Sequence, residues 1–471
     1  MFWKKKKNKV LVIGLDCAAP QLVFDQWIDD LPNLRKLTRE GVYGELESTI
    51  PPITVPAWTC MMTSKDPGQL GFYGFRNRAR YDYDGYAFAT ASLIKEPTVW
   101  DILSRNNKKV ILLGVPQTYP PKRVNGYMVT SFLTPSIESQ YTYPNDFRNE
   151  IEKVVGRYII DVDNFRTDDK QALLRGIYEM TETRFKLARH LVKNKDWDFF
   201  MMVEMGVDRI HHGFWKYFDP THRKYEKGNP LENAIKDYYI YLDREIGSML
   251  SLIDSNTTVL VTSDHGARSM EGGICINEWL LKEGLLTLSS EYPDTITSPS
   301  KVEFDWKKTK VWGEGGYYAR IFFNVKGREP DGVIPQEEYE SFRDEMIEKI
   351  KSIPDEKGND IGTVVYKPEE VYNSCNNVPP DLIVYFGDLS WRSVGSFGFN
   401  DIYTFENDTG PDDANHDRNG IFIMWKDKMN LGSRLEGLKI YDCAPLCLSL
   451  LDQEIPGDMI GKVPSSARNF K

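Results

Sequence analysis

The sequence contains few cysteines, and they follow no pattern. Six occur among 471 residues, with no CxxC pair and no regular spacing. Such a distribution excludes a disulfide framework and favours a reducing compartment, so we expect a cytoplasmic protein. Long apolar runs are also absent, since none reaches the roughly 20 residues that a helix needs to cross a bilayer.

An excess of positive charge is missing as well. Lys and Arg number 59 against 69 Asp and Glu, which gives a net charge of −10. This balance argues against binding a nucleic-acid polymer through the overall field. A small anionic substrate is still compatible, because a local metal cluster would outweigh the surface charge. The lysines at 4–7 could contact an anionic membrane, but we favour a solvated tail.

What the sequence does contain is a set of short apolar runs that end at polar residues. The runs at 10–15, 199–203 and 259–261 precede Asp16, Asp208, Asp264 and His265. Strands that alternate with helical segments are typical of parallel crossover units. Because functional groups of α/β proteins gather beyond the carboxyl ends of strands, we expect these side chains to form a site.

The residue types at these strand ends suit divalent metal ions. Asp208 and His212 share one face of a helical turn, with His211 as an alternative ligand, and His416 follows in a late loop. Carboxylates and imidazoles favour zinc or manganese at a hydrolytic site. The ligands suffice for two metals, the usual arrangement for phosphoryl transfer. We interpret Asp412 and Asp413, near His416, as solvated loop charges.

Thr54 lies in a segment that suits a nucleophile. Three prolines surround it within residues 49–58, which predicts a rigid turn. A threonine hydroxyl is a weak nucleophile unless its pKa falls, and coordination to a divalent cation lowers it. The alternative is a turn residue that bonds its own backbone.

These residues, in this order, resemble the alkaline phosphatase superfamily, and most closely its type I phosphodiesterase and nucleotide pyrophosphatase branch. The motifs are Asp16, Thr54 in Thr-Val-Pro-Ala-Trp, Asp208-x-x-x-His212, Ser263-Asp264-His265-Gly266 and His416. The resemblance implies an α/β fold, an α/β/α sandwich with a mostly parallel central sheet. We expect a single catalytic domain over 1–471, with a peripheral elaboration at about 290–365. Late strands at 381–386 and 420–425 are predicted to join the same sheet.

The resemblance also implies how the site is divided. One metal belongs to Asp208, His212 and His416, and the other to Asp16, Asp264 and His265, with Thr54 touching the second metal. Asn77 or Arg76 is the counterpart of a substrate-binding residue. Ala57 and Trp58 stand where the nucleotide pyrophosphatases usually carry Asn-His.

The function implied is a metal-dependent phosphoester hydrolase with two divalent ions, zinc or manganese. We expect a phosphodiesterase or nucleotide pyrophosphatase that acts on a small phosphoester through a phosphothreonine intermediate. The alternatives are a phosphotransferase or phosphomutase, a phosphomonoesterase, and a non-catalytic binding protein on the same scaffold.

Overall fold

The computed structural model describes residues 7–465. The N-terminal lysine run, for which we favour a solvated tail over membrane contact, lies outside this range apart from Lys7. The strands are β1 Lys9–Leu15, β2 Val42–Glu47, β3 Arg76–Arg78, β4 Tyr86–Phe88, β5 Val110–Leu113, β6 Gly126–Val129, β7 Thr142–Tyr143, β8 Phe199–Glu204, β9 Thr257–Thr262, β10 Gly266–Ser269, β11 Gly272–Cys275, β12 Val311–Glu314, β13 Ala319–Phe323, β14 Val364–Tyr366, β15 Leu382–Tyr385, β16 Trp391–Val394, β17 Tyr403–Thr404, β18 Ala414–Asp417, β19 Asn419–Lys426 and β20 Ser433–Lys439.

The helices connect these strands. They are α1 Pro32–Glu40, α2 Thr54–Thr63, α3 Pro67–Leu70, α4 Val99–Arg105, α5 Arg148–Val155, α6 Lys170–Asn194, α7 Gly206–Phe218, α8 Ala234–Leu250, α9 Ile276–Lys282, α10 Tyr339–Lys351, α11 Pro368–Val371 and α12 Cys443–Leu450. Within residues 7–465, no helix combines the length and the apolar character that crossing a membrane requires.

Nine strands form the central sheet, in the order β20-β2-β19-β9-β1-β8-β5-β6-β7. Strands β19 and β7 run against their neighbours, and every other pairing in the sheet is parallel. The prediction of a mostly parallel central sheet is confirmed.

Both faces of the sheet are covered, which explains why its strands are apolar on both sides. Leu11 and Ile13 of β1 pack in one hydrophobic cluster with residues of α1, α5, α6, α7 and α8. Val10 and Val12, on the opposite face, pack with residues of α2, α4 and α12. Each such buried side chain stabilises the fold by roughly 1.5–3 kcal/mol. The predicted α/β/α sandwich is therefore confirmed.

A second sheet has four strands in the order β12-β13-β15-β14. Strands β12 and β13 and most of β14 lie in the predicted elaboration, whereas β15 follows it. The prediction that residues 381–386 join the central sheet is wrong, because β15 pairs antiparallel with β13 and β14. The run at 420–425 does belong to the central sheet, as β19. A short apolar run has the same pattern in either sheet, so its residues alone could not decide between them.

The register of the central strands places their polar ends together. Gly14 of β1 lies opposite Val203 of β8 and Thr262 of β9, so the residues that follow all three strands emerge at one edge. Beyond that edge, β10 and β18 pair antiparallel, with Ala267 opposite His416. Because β10 directly follows Asp264 and His265, this pairing places His416 next to the ends of the central strands.

Candidate metal centre

The first cluster at this edge consists of Asp16, Asp264 and His265, all fully buried. Their ligand atoms lie within 4.8 Å of one another. His265 Nε2 is 3.3 Å from Asp264 Oδ2 and 3.8 Å from Asp16 Oδ1. Neither of these two carboxylate oxygens has a hydrogen-bond partner. Because buried carboxylate oxygens without donors are costly, their convergence on one imidazole nitrogen fits a cation site.

The remaining atoms of this cluster are held by the surrounding backbone and by one indole. Cys17 N–H donates to Asp264 Oδ1 at 3.2 Å, and Trp58 Nε1 donates to Asp16 Oδ2 at 2.6 Å. His265 Nδ1 lies 3.0 Å from the Gly266 carbonyl oxygen, which fixes Nδ1 as the donor and leaves Nε2 with a lone pair. Each group thus presents one free ligand atom to the same point.

Thr54 lies beside this cluster. Its Oγ1 is 3.4 Å from His265 Nε2, and the residue is only 4% exposed. Residues 49–53 are irregular, as the predicted turn requires, and although α2 is bounded at Thr54, Val55 has non-helical backbone angles (φ −113°, ψ 112°), so the regular turns of α2 begin after Val55. Pro56 is tolerated there since the first helical turn needs no N–H donor from it. The prolines therefore start a helix instead of excluding one.

The second cluster consists of Asp208, His212 and His416. Asp208 Oδ1 is 3.2 Å from His212 Nε2 and 3.7 Å from His416 Nε2, and the two imidazole nitrogens are 3.3 Å apart. The other oxygen of Asp208 accepts from Arg209, which also pairs with Asp161. The two clusters adjoin, because the rings of His265 and His416 stack with centroids 3.8 Å apart.

The electrostatics of the two clusters differ. Burial raises the pKa values of Asp16 and Asp264 well above their ordinary range, and neighbouring carboxylates raise them further. Burial also opposes ionisation of Asp208, but His212 and Arg209 hold its pKa well below the usual value. Burial lowers the pKa of His265 to about 4, which keeps this imidazole neutral, as a metal ligand must be.

His212 is oriented by Asp412, which the sequence did not reveal as part of the site. His212 Nδ1 donates to Asp412 Oδ1 at 2.7 Å, and the Asp412 side chain is fully buried. Although burial disfavours the charged imidazole, Asp412 and Asp208 raise the pKa of His212 to about 9, so a metal ion bound there would displace a proton from this ring. The interpretation of Asp412 as a solvated loop charge is wrong, and so is that of Asp413, which is 3% exposed.

Tyr317, in the connection between β12 and β13 of the four-stranded sheet, packs against the second cluster. Its ring stacks on His416 at 4.1 Å and on His212 at 4.8 Å between centroids. Its hydroxyl donates to Asp412 Oδ2 at 3.3 Å. The segment predicted as a peripheral elaboration therefore contributes a side chain that contacts two candidate ligands.

The sequence profile of the family described as type I phosphodiesterase / nucleotide pyrophosphatase matches residues 10–412. The chain belongs to this family. It is an enzyme of the phosphoester hydrolase class, of the phosphodiesterase and pyrophosphatase type. No curated protein sequence matches the chain.

Solved structures similar to this phosphodiesterase-family chain share its fold. One is murine ectonucleotide pyrophosphatase / phosphodiesterase 5, inactive and in complex with AMP, with 13% identity, a TM-score of 0.55, and coverage of 95% of this chain and 96% of that chain. Another is phosphonoacetate hydrolase from Sinorhizobium meliloti 1021 in complex with phosphonoformate, with 14% identity, a TM-score of 0.59, and coverage of 94% and 96%. Both support the alkaline phosphatase-like sandwich.

Two further groups lie next to the clusters of this phosphodiesterase-family site. The Cys17 sulfur can be grouped with Asp208 and His212 as a ligand, but burial and nearby carboxylates raise the pKa of its thiol well above the ordinary value. A neutral thiol is a poor ligand. His211 Nε2 lies 3.2 Å from the Tyr239 hydroxyl, and no candidate ligand group within residues 7–465 includes this histidine.

The predicted substrate-binding residues lie in the segment after α3. Asn77 uses its amide locally, since Oδ1 accepts from Tyr73 N–H at 2.7 Å and Nδ2 donates to the Gly74 carbonyl at 2.8 Å. Arg76 is exposed, with its guanidinium 5.0 Å from the centre of the Phe88 ring. Contact of either residue with substrate stays a prediction.

A large cleft leads toward the site, with a volume of about 1200 Å³. Arg76 and Ile53, the residue before Thr54, line one part of it, and Trp306 and Trp312 line another. Tyr317 and two arginines, Arg166 and Arg392, also face the cleft. The cleft therefore has both aromatic and cationic walls, and Tyr317, which lines it, stacks on two of the buried histidines.

Proposed function

We propose that this chain is a phosphodiesterase or nucleotide pyrophosphatase that works through a phosphothreonine intermediate on Thr54. One observation carries the proposal. The Thr54 hydroxyl and two unpartnered carboxylate oxygens, of Asp16 and Asp264, all approach the same nitrogen of His265. A nucleophile beside a buried set of anionic and neutral ligands is what metal-assisted phosphoryl transfer needs.

The two clusters would hold two divalent ions. Asp16, Asp264 and His265 would bind one ion next to Thr54, and the other would belong to Asp208, His212 and His416. A donor set of carboxylates and imidazoles suits zinc or manganese. When bound, such ions neutralise charge on phosphoryl oxygens and lower the pKa of a coordinated hydroxyl or water.

The imidazole rings have fixed roles in this scheme. His416 Nδ1 lies 2.8 Å from the Pro52 carbonyl oxygen, and His265 Nδ1 lies 3.0 Å from that of Gly266. Each Nδ1–H therefore donates to the backbone, and each Nε2 keeps its lone pair for a ligand bond. These backbone contacts hold the rings in orientation before any substrate arrives.

Thr54 would form and then lose a bond to phosphorus. Its Oγ1 attacks the phosphorus atom, an O–P bond forms, and the bond to the leaving oxygen breaks, while the hydroxyl proton is released to solvent. Water then cleaves the new bond and restores the hydroxyl. Because Thr54 lies just before the regular turns of α2, the positive end of this helix favours the negative charge that gathers there.

The test uses metal-supplemented enzyme and bis(p-nitrophenyl) phosphate. We expect Thr54→Ala to lose about 10³-fold or more in kcat, with Thr54→Ser retaining a measurable part of it. Mass spectrometry of acid-quenched wild type should find phosphate on the peptide that contains Thr54. Full activity in the alanine variant would refute the proposed nucleophile.

A further inference from the structure

The connection between α5 and α6 passes beside the second cluster. In this connection Asp161 forms a two-pronged ion pair with Arg209, because its Oδ1 accepts from Nε at 3.0 Å and its Oδ2 accepts from Nη2 at 2.6 Å. The remaining arm of Arg209, Nη1, donates to Asp208 Oδ2. A guanidinium paired with a carboxylate through two parallel bonds is fixed in its plane. Asp161 therefore sets the position of the group that holds one oxygen of a candidate ligand.

The bond from Arg209 determines which oxygen of Asp208 is free. Since Oδ2 accepts from the guanidinium, Oδ1 is left to face the imidazole nitrogens, 3.2 Å from His212 Nε2 and 3.7 Å from His416 Nε2. The Arg209 side chain is 8% exposed, so water can supply few replacement partners. Removing one partner of a buried ion pair leaves the other charge uncompensated. Without the Asp161 carboxylate, Arg209 would therefore cease to be a fixed donor to Asp208.

Arg166, five residues later in the same connection, acts on a second candidate ligand. Its Nε donates to Asp412 Oδ2 at 3.0 Å, and its Nη2 donates to the Tyr317 hydroxyl at 2.7 Å. The other oxygen of Asp412 accepts from His212 Nδ1 at 2.7 Å. Arg166 therefore holds in place the carboxylate that orients this imidazole.

Phe165 lies between these two sets of contacts. The guanidinium carbons of Arg209 and Arg166 are 4.3 and 4.5 Å from the centre of its ring. The same ring lies 6.2 Å from the His212 ring, measured between centroids. Cation–π contact with both guanidinium groups restricts both arginines at once. One short loop, residues 161–166, thus reaches two of the three candidate ligands of the second cluster through separate partners.

We propose that the 161–166 loop orients the second metal position. Asp161 and Arg166 are its positioning residues, each acting on a candidate ligand through one intervening side chain. The inference rests on the proposed function, because it takes a divalent ion to occupy the second cluster. The first cluster is held by other groups, among them the indole of Trp58 and the backbone N–H of Cys17. The loop should therefore affect the two metal positions unequally.

The experiment measures zinc binding to the metal-free full chain by titration in competition with a chromophoric chelator. Two dissociation constants are fitted, and His416→Ala identifies the one that belongs to the second cluster. We expect Asp161→Asn to raise that constant about 10- to 100-fold, as for other groups that orient metal ligands. The constant of the first cluster should change less than about threefold. Asp161→Glu, which keeps a carboxylate, should recover part of the loss.

Two more variants make the result decisive. Arg166→Gln should weaken the second position selectively through the other set of contacts, and it keeps the inference testable if Asp161→Asn misfolds. Asp163→Asn removes the same charge as Asp161→Asn from an exposed position of the same loop, and it should change neither constant. Equal weakening of both positions, no weakening in Asp161→Asn, or an equal loss in Asp163→Asn would overturn the role of the loop.

The wild-type titration separates this inference from the proposed function. Fewer than two zinc ions bound by the wild type would overturn the two-metal site, and the role of the loop with it. Two ions bound by the wild type, with an unselective response in the variants, would overturn the role of the loop alone. Because the titration requires no turnover, the Thr54 mechanism is judged separately by the activity of Thr54→Ala.

Discussion

Trp58 donates its indole N–H to Asp16 Oδ2 at 2.6 Å, and this bond links the first turn of α2 to the end of β1. Thr54 precedes the non-helical Val55, and Trp58 lies in the first regular turn of α2, so the proposed nucleophile and the anchor of a candidate ligand share one short buried segment. Asp16 Oδ2 accepts the hydrogen bond from the indole, and Asp16 Oδ1 faces His265 Nε2 at 3.8 Å.

Loss of that indole donor should loosen the first metal position. In Trp58→Phe, Asp16 keeps its place in the chain but loses the bond that orients its carboxylate. We expect zinc affinity to fall about 10- to 100-fold, as for other groups that orient metal ligands, measured by calorimetric titration. Trp100→Phe, in the same hydrophobic cluster, is the matched control. Unchanged zinc affinity in the Trp58 variant would contradict this role.

The packing of the same indole should make Gly14 intolerant of a side chain. A Cβ there would lie 2.5 Å from Trp58 Cη2 and 2.9 Å from Val203 Cγ2. We expect Gly14→Ala to lower the free energy of unfolding by about 1–3 kcal/mol, measured by urea denaturation. Gly176→Ala on α6 is the control, because its Cβ would meet only Val162 at 3.6 Å. Equal stability of the two variants would refute the packing argument.

Asp412 should matter for the second metal position although it is not a candidate ligand. Asp412→Asn replaces the carboxylate that accepts from His212 Nδ1, so the imidazole becomes less basic and less firmly oriented. We expect a 10- to 100-fold loss of affinity for the more weakly held of two divalent ions. Asp413→Asn, beside it and 3.5 Å from Lys216, should have little effect. The reverse ranking of these variants would show that Asp412 does not act through His212.

Metal removal should destabilise the fold. Asp16, Asp264 and Asp208 are buried around the same histidines, and a cation relieves their mutual repulsion. We expect a chelator to lower Tm, and added zinc or manganese to restore about 2.7 kcal/mol at a hundredfold excess over Kd. Calorimetry on Asp264→Asn should show a much smaller response. A wild-type Tm indifferent to chelator and metal would contradict a metal site here.

Much of the sheet could be predicted because its signal is local. The runs that precede Asp16, Asp208 and Asp264 are rich in apolar and β-branched residues, and in the structure the strands they form end at one edge of the sheet, as parallel pairing requires. The i, i+4 spacing of Asp208 and His212 likewise predicted a shared helix face, and both lie on α7. These inferences needed only periodicity and strand direction.

The contacts that orient the site could not be predicted in the same way. Asp412 reads as an ordinary loop charge, and only the tertiary fold brings it to His212, 200 residues earlier. Tyr317 lies in the connection between β12 and β13, Arg392 lies on β16 of a three-stranded sheet, and no spacing in the sequence connects either residue to His416. Burial and pairing between distant segments decide these roles, and both are properties of the folded chain.

The stacking of Tyr317 on two imidazoles has a consequence for how such a chain can diversify. The connection between β12 and β13 that carries Tyr317 forms a wall over these histidines, so its side chains limit the size of a group that can approach them. Replacements within that wall can admit bulkier or differently charged molecules while every metal-facing side chain stays the same. Changes that alter which molecules fit the site can thereby be separated, within one polypeptide, from changes to the candidate metal ligands.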